Sequence, residues 1–244
     1  MSHHTIQCKN CENQFSGHYC NNCGQRANTH RIDLKHLLHE FFHALTHLDK
    51  GLLYTGKKML VEPGITLREY LSGKRIRHSN PFLMLIIIGG LCSLTYYNLE
   101  LKLVSSFKIS ELDGGVHMID SKFFAILYIL YSLIFSVFDF LLFRYKGYNF
   151  TEFFTVNVFI ATQVLLMLLA LVPVWLLGQK FGLNSYLRPL IGLSFMAYLI
   201  FVRYEFFEVS GNRKAGVRLL IETLIFLAWF MVMSWKTVSE LLNS

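Results

Sequence analysis

Charge is what this chain has least of. Asp, Glu, Lys and Arg make up 16% of its 244 residues, against about 25% in a soluble domain. The shortfall is uneven. Residues 1–80 hold eleven Lys/Arg against six Asp/Glu, and so carry +5 of the formal +7. They also hold nine of the ten histidines. An apolar N-terminal core is missing too: Cys, His and polar residues stand where a signal peptide would need one. The first hydrophobic span is therefore expected to target the membrane itself. No internal repeat is visible, which argues against a transporter fold built from repeats. What fills the remaining chain is apolar. Hydrophobic residues make up 53%, and the mean hydropathy is +0.41.

Five stretches approach the ~20 apolar residues that cross a bilayer. They are about 82–99, 122–143, 154–177, 187–206 and 217–236. Lys57, Lys58, Arg68, Lys74, Arg75 and Arg77 precede the first. Arg144 and Lys146 lie between the second and third, and Arg203, Arg213, Lys214 and Arg218 between the fourth and fifth. The intervening loops are poorer in Lys/Arg relative to acids. The positive-inside rule then puts the N-terminus in the cytoplasm and the C-terminus outside. Polar residues within the spans are read as interhelical hydrogen bonds or snorkelling ends. Asp139 is expected to pair with Arg144, Glu222 lies a turn inside span five, and Asn157, Thr162 and Gln163 dot span three. Pro173 is expected to kink that span. No midplane cluster is evident.

Four of the five cysteines form Cys8-x-x-Cys11 and Cys20-x-x-Cys23-Gly24. Four thiolates in two such pairs suit a tetrahedral Zn2+ ion. Gly24 relieves the second turn, and the eight-residue spacer fits a minimal zinc ribbon in residues 1–30. That ribbon has one short hairpin, with Gly17 in its turn and Phe15 and Tyr19 covering the metal. Disulfides are the alternative, and a cytoplasmic location argues against them. Four protein ligands leave no open position, so the site is structural. Cys92, inside a span, is a packing residue.

Residues 31–80 form an amphipathic juxtamembrane segment. Leu34, Leu37, Leu38, Phe41, Leu45, Leu48 and Leu52 recur with helical period. Asp33 suits the N-cap, and Gly51 lies near the end of the pattern. Opposite that stripe lie His36, His39, Glu40, His43 and His47. His39-Glu40-x-x-His43 has the spacing by which zinc hydrolases bind metal through two histidines and use the glutamate as base. A third ligand and a cleft are not evident. The four histidines also offer a second metal site or a pH sensor. The plainest reading is a solvated face on a helix at the membrane surface. Pro63-Gly64 reads as a break and Thr66-Leu67-Arg68-Glu69 as a capping box starting a short helix that Gly73 closes. Lys74, Arg75 and Arg77 then suit anionic lipid headgroups.

The order of these pieces resembles a bacterial membrane-protein family catalogued as domain of unknown function 3667. The resemblance rests on the knuckles ending Cys23-Gly24-Gln25, on Leu37-Leu38-His39-Glu40-Phe41-Phe42-His43 and on Leu48-Asp49-Lys50-Gly51. It continues through Pro63-Gly64, Arg68-Glu69-Tyr70-Leu71-x-Gly73-Lys74-Arg75 and Asn80-Pro81-Phe82. It covers roughly residues 5–90 and implies an architecture without an activity. The expected fold is an all-α polytopic membrane protein of about five spans, residues 81–244, behind the ribbon and the amphipathic segment. The expected location is a bacterial inner membrane. The expected role is interaction, assembly or regulation, with the bilayer and a protein docking on the ribbon as partners, and no nucleic acid. A metallohydrolase and a small permease or metal-ion carrier are the rivals.

Overall fold

A computed structural model describes residues 5–27, 29, 31–32, 51–99, 124–210, 212–225 and 227. Strand β1 (Ile6–Gln7) pairs antiparallel with β2 (Gln14–Phe15), Ile6 opposite Phe15. A lone bridge between Tyr19 and Arg26 closes a second turn around Cys20 and Cys23. The head thus has two hairpin-like turns rather than one, one per knuckle. Gly17, with φ 114°, lies in the link between them. Phe15 is buried against Cys8 and Cys20 as expected. Tyr19 is not: it is 56% exposed and lies under the Arg26 guanidinium, 5.9 Å from its ring centre.

Helix α1 (Gly51–Val61) follows, and the leucine-patterned stretch before it lies outside the described residues. Helix α2 (Pro63–Ser72) begins at Pro63, three residues before the anticipated capping box. The fixed φ of proline suits the first helical position, where its missing N–H costs nothing. Thr66 therefore sits inside the helix and donates its hydroxyl to the Glu62 carbonyl. Gly73 closes α2 as expected, left-handed at φ 106°. Its N–H donates to the Tyr70 carbonyl and that of Lys74 to Glu69, a pairing that satisfies the last carbonyls of the helix.

The body comprises α3 (Pro81–Asn98), α4 (Phe124–Phe143), α5 (Phe150–Lys180), α6 (Asn184–Phe206) and α7 at 213–225. These positions follow the anticipated stretches, though residues beyond 227 lie outside the described ones. Two helical runs are long and apolar enough to cross a membrane, Ala125–Lys146 and Phe150–Lys180, while Pro81–Tyr96 is a shorter apolar helix. Five spans are thus more than the described helices carry by this measure. Helix α6 holds Arg188, Arg203 and Glu205 among its 23 residues, which lowers its apolar character.

Helix α5 is central. It packs against α1, α3, α4 and α6, and Phe153, Val158 and Leu165 along it are fully buried. Asn149 and Glu152 start it with a reciprocal capping box. It runs past Pro173 to Lys180. On α3, Cys92 is fully buried and points its thiol at the Leu165 carbonyl of α5, 3.4 Å away, so it is a packing residue. At the head end, α4, α5 and α6 meet through aromatic stacking. Phe143 lies on Phe207 at 3.6 Å and Tyr148 on Phe206 at 5.4 Å. Helix α2 caps the end of α6: the Gly64 N–H donates to the Glu205 carboxylate at 2.7 Å, and Arg68 donates to the Glu205 and Phe206 carbonyls.

Candidate metal centre

Both knuckles have one backbone design. In the first, the Cys8 N–H donates to the Asn13 carbonyl and the Glu12 N–H to Cys8, each at 2.9 Å. In the second, Cys20 donates to Gln25 at 2.8 Å and Gly24 to Cys20 at 2.9 Å. The residue after the second cysteine is left-handed in each, Glu12 at φ 62° and Gly24 at φ 77°. These turns aim four sulfurs inward.

All four Sγ atoms lie within 4.8 Å of one another. Cys8 and Cys23 are 3.5 Å apart, and Cys11 and Cys20 are 3.6 Å apart. A zinc–sulfur tetrahedron with bonds of ≈2.3 Å has edges of about 3.8 Å. A disulfide needs sulfurs about 2.05 Å apart, and all four thiols are free. The set can therefore hold a metal ion. Burial works against the Cys20 thiolate, but the Cys23 and Asn22 N–H groups outweigh it and bring that thiol down to about 6. Burial and the neighbouring Cys11 and Cys8 sulfurs push Cys23 up to about 11. Four thiolates this close repel one another, and a bound dication removes that repulsion. Among the described residues no other His, Cys, Asp or Glu group has such geometry.

The head is tied to the body by two side chains. Gln25, 4% exposed, accepts at Oε1 from the Ile76 N–H at 3.0 Å and the Arg75 N–H at 3.4 Å. Its amide donates to the Thr29 hydroxyl. Arg31 grips the buried Glu152 carboxylate bidentately at 2.8 and 2.7 Å. The same carboxylate accepts from the Asn149 N–H, and the Asn149 side chain donates to the Ile32 carbonyl. A groove of about 330 Å³ runs between head and body, lined by Lys9, Arg31, Lys146 and Glu152 among others. Its cations are engaged: Lys9 donates to the Thr29 carbonyl, Arg31 holds Glu152, and Lys146 lies 3.8 Å from Glu208.

The basic trio sits where α2 ends. Lys74 pairs with Glu69 at 3.0 Å, Arg75 donates to the Tyr70 carbonyl and lies 5.3 Å from the Tyr70 ring, and Arg77 is exposed. His36, His39, Glu40, His43 and His47 lie outside the described residues. Within the body, Asp139 does not meet Arg144. It accepts from Asn157 at 2.6 Å and faces Arg203, which also donates to Glu222 and to Asn157. An ionic cluster therefore exists where none was evident.

Residues 49–92 match a family described as protein of unknown function (DUF3667). Comparison with curated proteins and with solved structures found no significant match. The matched segment spans α1, α2, the 73–80 loop and most of α3, so it is the surface onto which Gln25 docks. It supports the resemblance there and leaves the cysteines outside it. Two contributors were missed in the sequence. Asn149-Phe150-Thr151-Glu152 before an apolar run is a legible capping signature. Gln25 carried no signal beyond its place after Cys23-Gly24.

Proposed function

We propose that this chain is a multi-pass integral membrane protein with an interaction, assembly or regulatory role. In this reading a zinc-loaded ribbon clamps the cytoplasmic ends of about five helical spans. The observation that carries it is the pair of ties through Gln25 and Arg31. They link the cysteine turns to the 73–80 loop and to the first turn of α5, so the metal that folds the head also sets the position of those helix ends. A domain this small has little core, and metal binding supplies most of its folding free energy. Four thiolates in a tetrahedral set suit zinc and disfavour hard, oxygen-seeking cations such as Mg2+ and Ca2+. The basic residues cluster on the head side of the bundle, which supports a cytoplasmic N-terminus in an inner membrane. Arg77 is the best placed of the three basic residues for anionic headgroups, with the exposed face of the ribbon left for a protein partner.

Purified protein is expected to carry about one zinc per chain. Stripping it with a chelator should remove hydrogen-exchange protection from residues 6–26, and also from the amides of Arg75, Ile76 and Glu152. Loss confined to the head would sink the clamp. The permease reading draws support from one observation, the buried ionic cluster between α4, α5, α6 and α7.

A further inference from the structure

We propose that Asp139, Glu222 and Arg203 form a proton-binding site inside the helical bundle, with one proton shared between the two carboxyl groups. The site is independent of the ribbon and its metal. Its members come from separate helices: Asp139 on α4, Arg203 on α6 and Glu222 on α7, joined by Asn157 on α5. Their exposures are 1%, 8%, 4% and 4%. Arg203 Nε donates to Glu222 Oε1 and lies 3.9 Å from Asp139 Oδ1, while an Nη2 hydrogen goes to Asn157 Oδ1 at 3.1 Å. Asn157 Nδ2 donates to Asp139 Oδ2 at 2.6 Å.

Two oxygens are left over. Asp139 Oδ1 and Glu222 Oε2 are buried and accept no hydrogen bond among the described residues. They belong to carboxyl groups that both face the same guanidinium nitrogen, Arg203 Nε. One guanidinium cannot balance two carboxylates, and it does not give up its own proton. The surplus negative charge would be buried without a partner, which is costly. A single proton removes that charge and gives one orphan oxygen a donor and the other an acceptor role. The proton then belongs to the pair rather than to either residue.

A metal cation fits less well. Arg203 already occupies the cation position at Glu222 Oε1, and a hard cation takes about six oxygens. The electrostatic neighbours of Glu222 are Arg203 and Asp139, and those of Arg203 are Glu222 and Asp139. Among the described residues the other groups facing the cluster are Ser136, within reach of Asn157, and the Phe135 ring, 5.8 Å from the guanidinium. A cavity of about 20 Å³ reaches Arg203, Glu222 and Thr223 between apolar walls. That is room for about one water, enough to carry a proton in or out.

Infrared spectroscopy of the full chain in nanodiscs tests this. At neutral pH the wild type should show the carbonyl band of one protonated carboxyl, shifted in D2O. The band should vanish in Glu222→Gln and vanish or move in Asp139→Asn. Should one variant fail to fold, the other assigns the band, because the other buried carboxyl of the described residues, Glu152, accepts from Arg31 and the Asn149 N–H and is untouched by either substitution. Absence of the band overturns the proposal. So does a band that both folded variants retain. Exchanging choline for sodium should leave it unchanged; a band abolished by sodium would place a metal cation in the pair instead.

Discussion

Gly64→Ala tests whether α2 is locked on the end of α6. An added Cβ would lie 2.5 Å from both the Glu205 carbonyl carbon and the Phe206 nitrogen, and 2.8 Å from the Glu205 Cβ. Carbon atoms at rest sit about 3.5–4.0 Å apart, so the helices must separate by roughly 1 Å. Overpacking of this kind costs about 1–3 kcal/mol. The separation also stretches the 2.7 Å bond from the Gly64 N–H to the Glu205 carboxylate beyond bonding range. A bond to a charged group contributes about 1.5–3 kcal/mol. Alanine returns up to about 1 kcal/mol through its helix propensity. The net expectation is a loss of about 2–4 kcal/mol. Reversible unfolding in mixed micelles, followed by the fluorescence of buried Trp175, measures it. Gly90→Ala is the control, since a Cβ there meets nothing within 4 Å. It should be neutral or stabilising by up to about 1 kcal/mol. If the two variants unfold alike, the close approach of α2 to α6 is wrong.

Three further outcomes follow from the geometry. Glu12→Gly should stabilise the metal-loaded head by about 1 kcal/mol, because Glu12 holds a left-handed φ of 62° that glycine adopts freely, whereas Gly24→Ala should weaken it by a similar amount. A competition titration against a chelator reads both. Gln25→Ala should leave metal content intact but expose the Arg75 and Ile76 amides to exchange, at about 1–3 kcal/mol of docking free energy. His78 sits among Tyr54 and Tyr70, and burial holds its imidazole below the ordinary 6.5, with Lys58 adding to the effect and Glu69 opposing it. Its folded pKa is depressed, so the unfolded chain binds the proton more readily. Stability is then complete above pH 6.5 and is lost as pH falls below it, towards the folded value. Unfolding midpoints at pH 7.5 and about 5.5 should differ in the wild type, and by less in His78→Phe.

The helices of the body were legible because apolar runs have clear ends. The stretch 122–143 ends where α4 ends, at Phe143. Helix α5 was underestimated at both ends. Its first turn is polar, fixed by Asn149 and Glu152, and its last lies past Pro173. The start of α2 was misread because Pro63-Gly64 looks like a break, yet proline opens a helix and Gly64 allows close packing. The cysteine site was readable from local spacing alone. The ionic cluster was not. Asp139, Asn157, Arg203 and Glu222 stand on four helices, and each by itself resembles a polar residue near a span end. Only the packing of α4, α6 and α7 around α5 brings them together.

The tie between Arg31 and Glu152 joins residues 121 positions apart, and that separation has a temporal meaning. The four cysteines leave the ribosome early. At roughly 5–20 residues per second, the codon for Glu152 is read some 6–24 seconds after that for Arg31. The head must therefore wait for its anchor. Its anchor comes into being only when α3 and α4 have been made and the first turn of α5 has formed. Docking of the head is a late event in the birth of the molecule, and it marks a chain whose first hydrophobic helices are already in place.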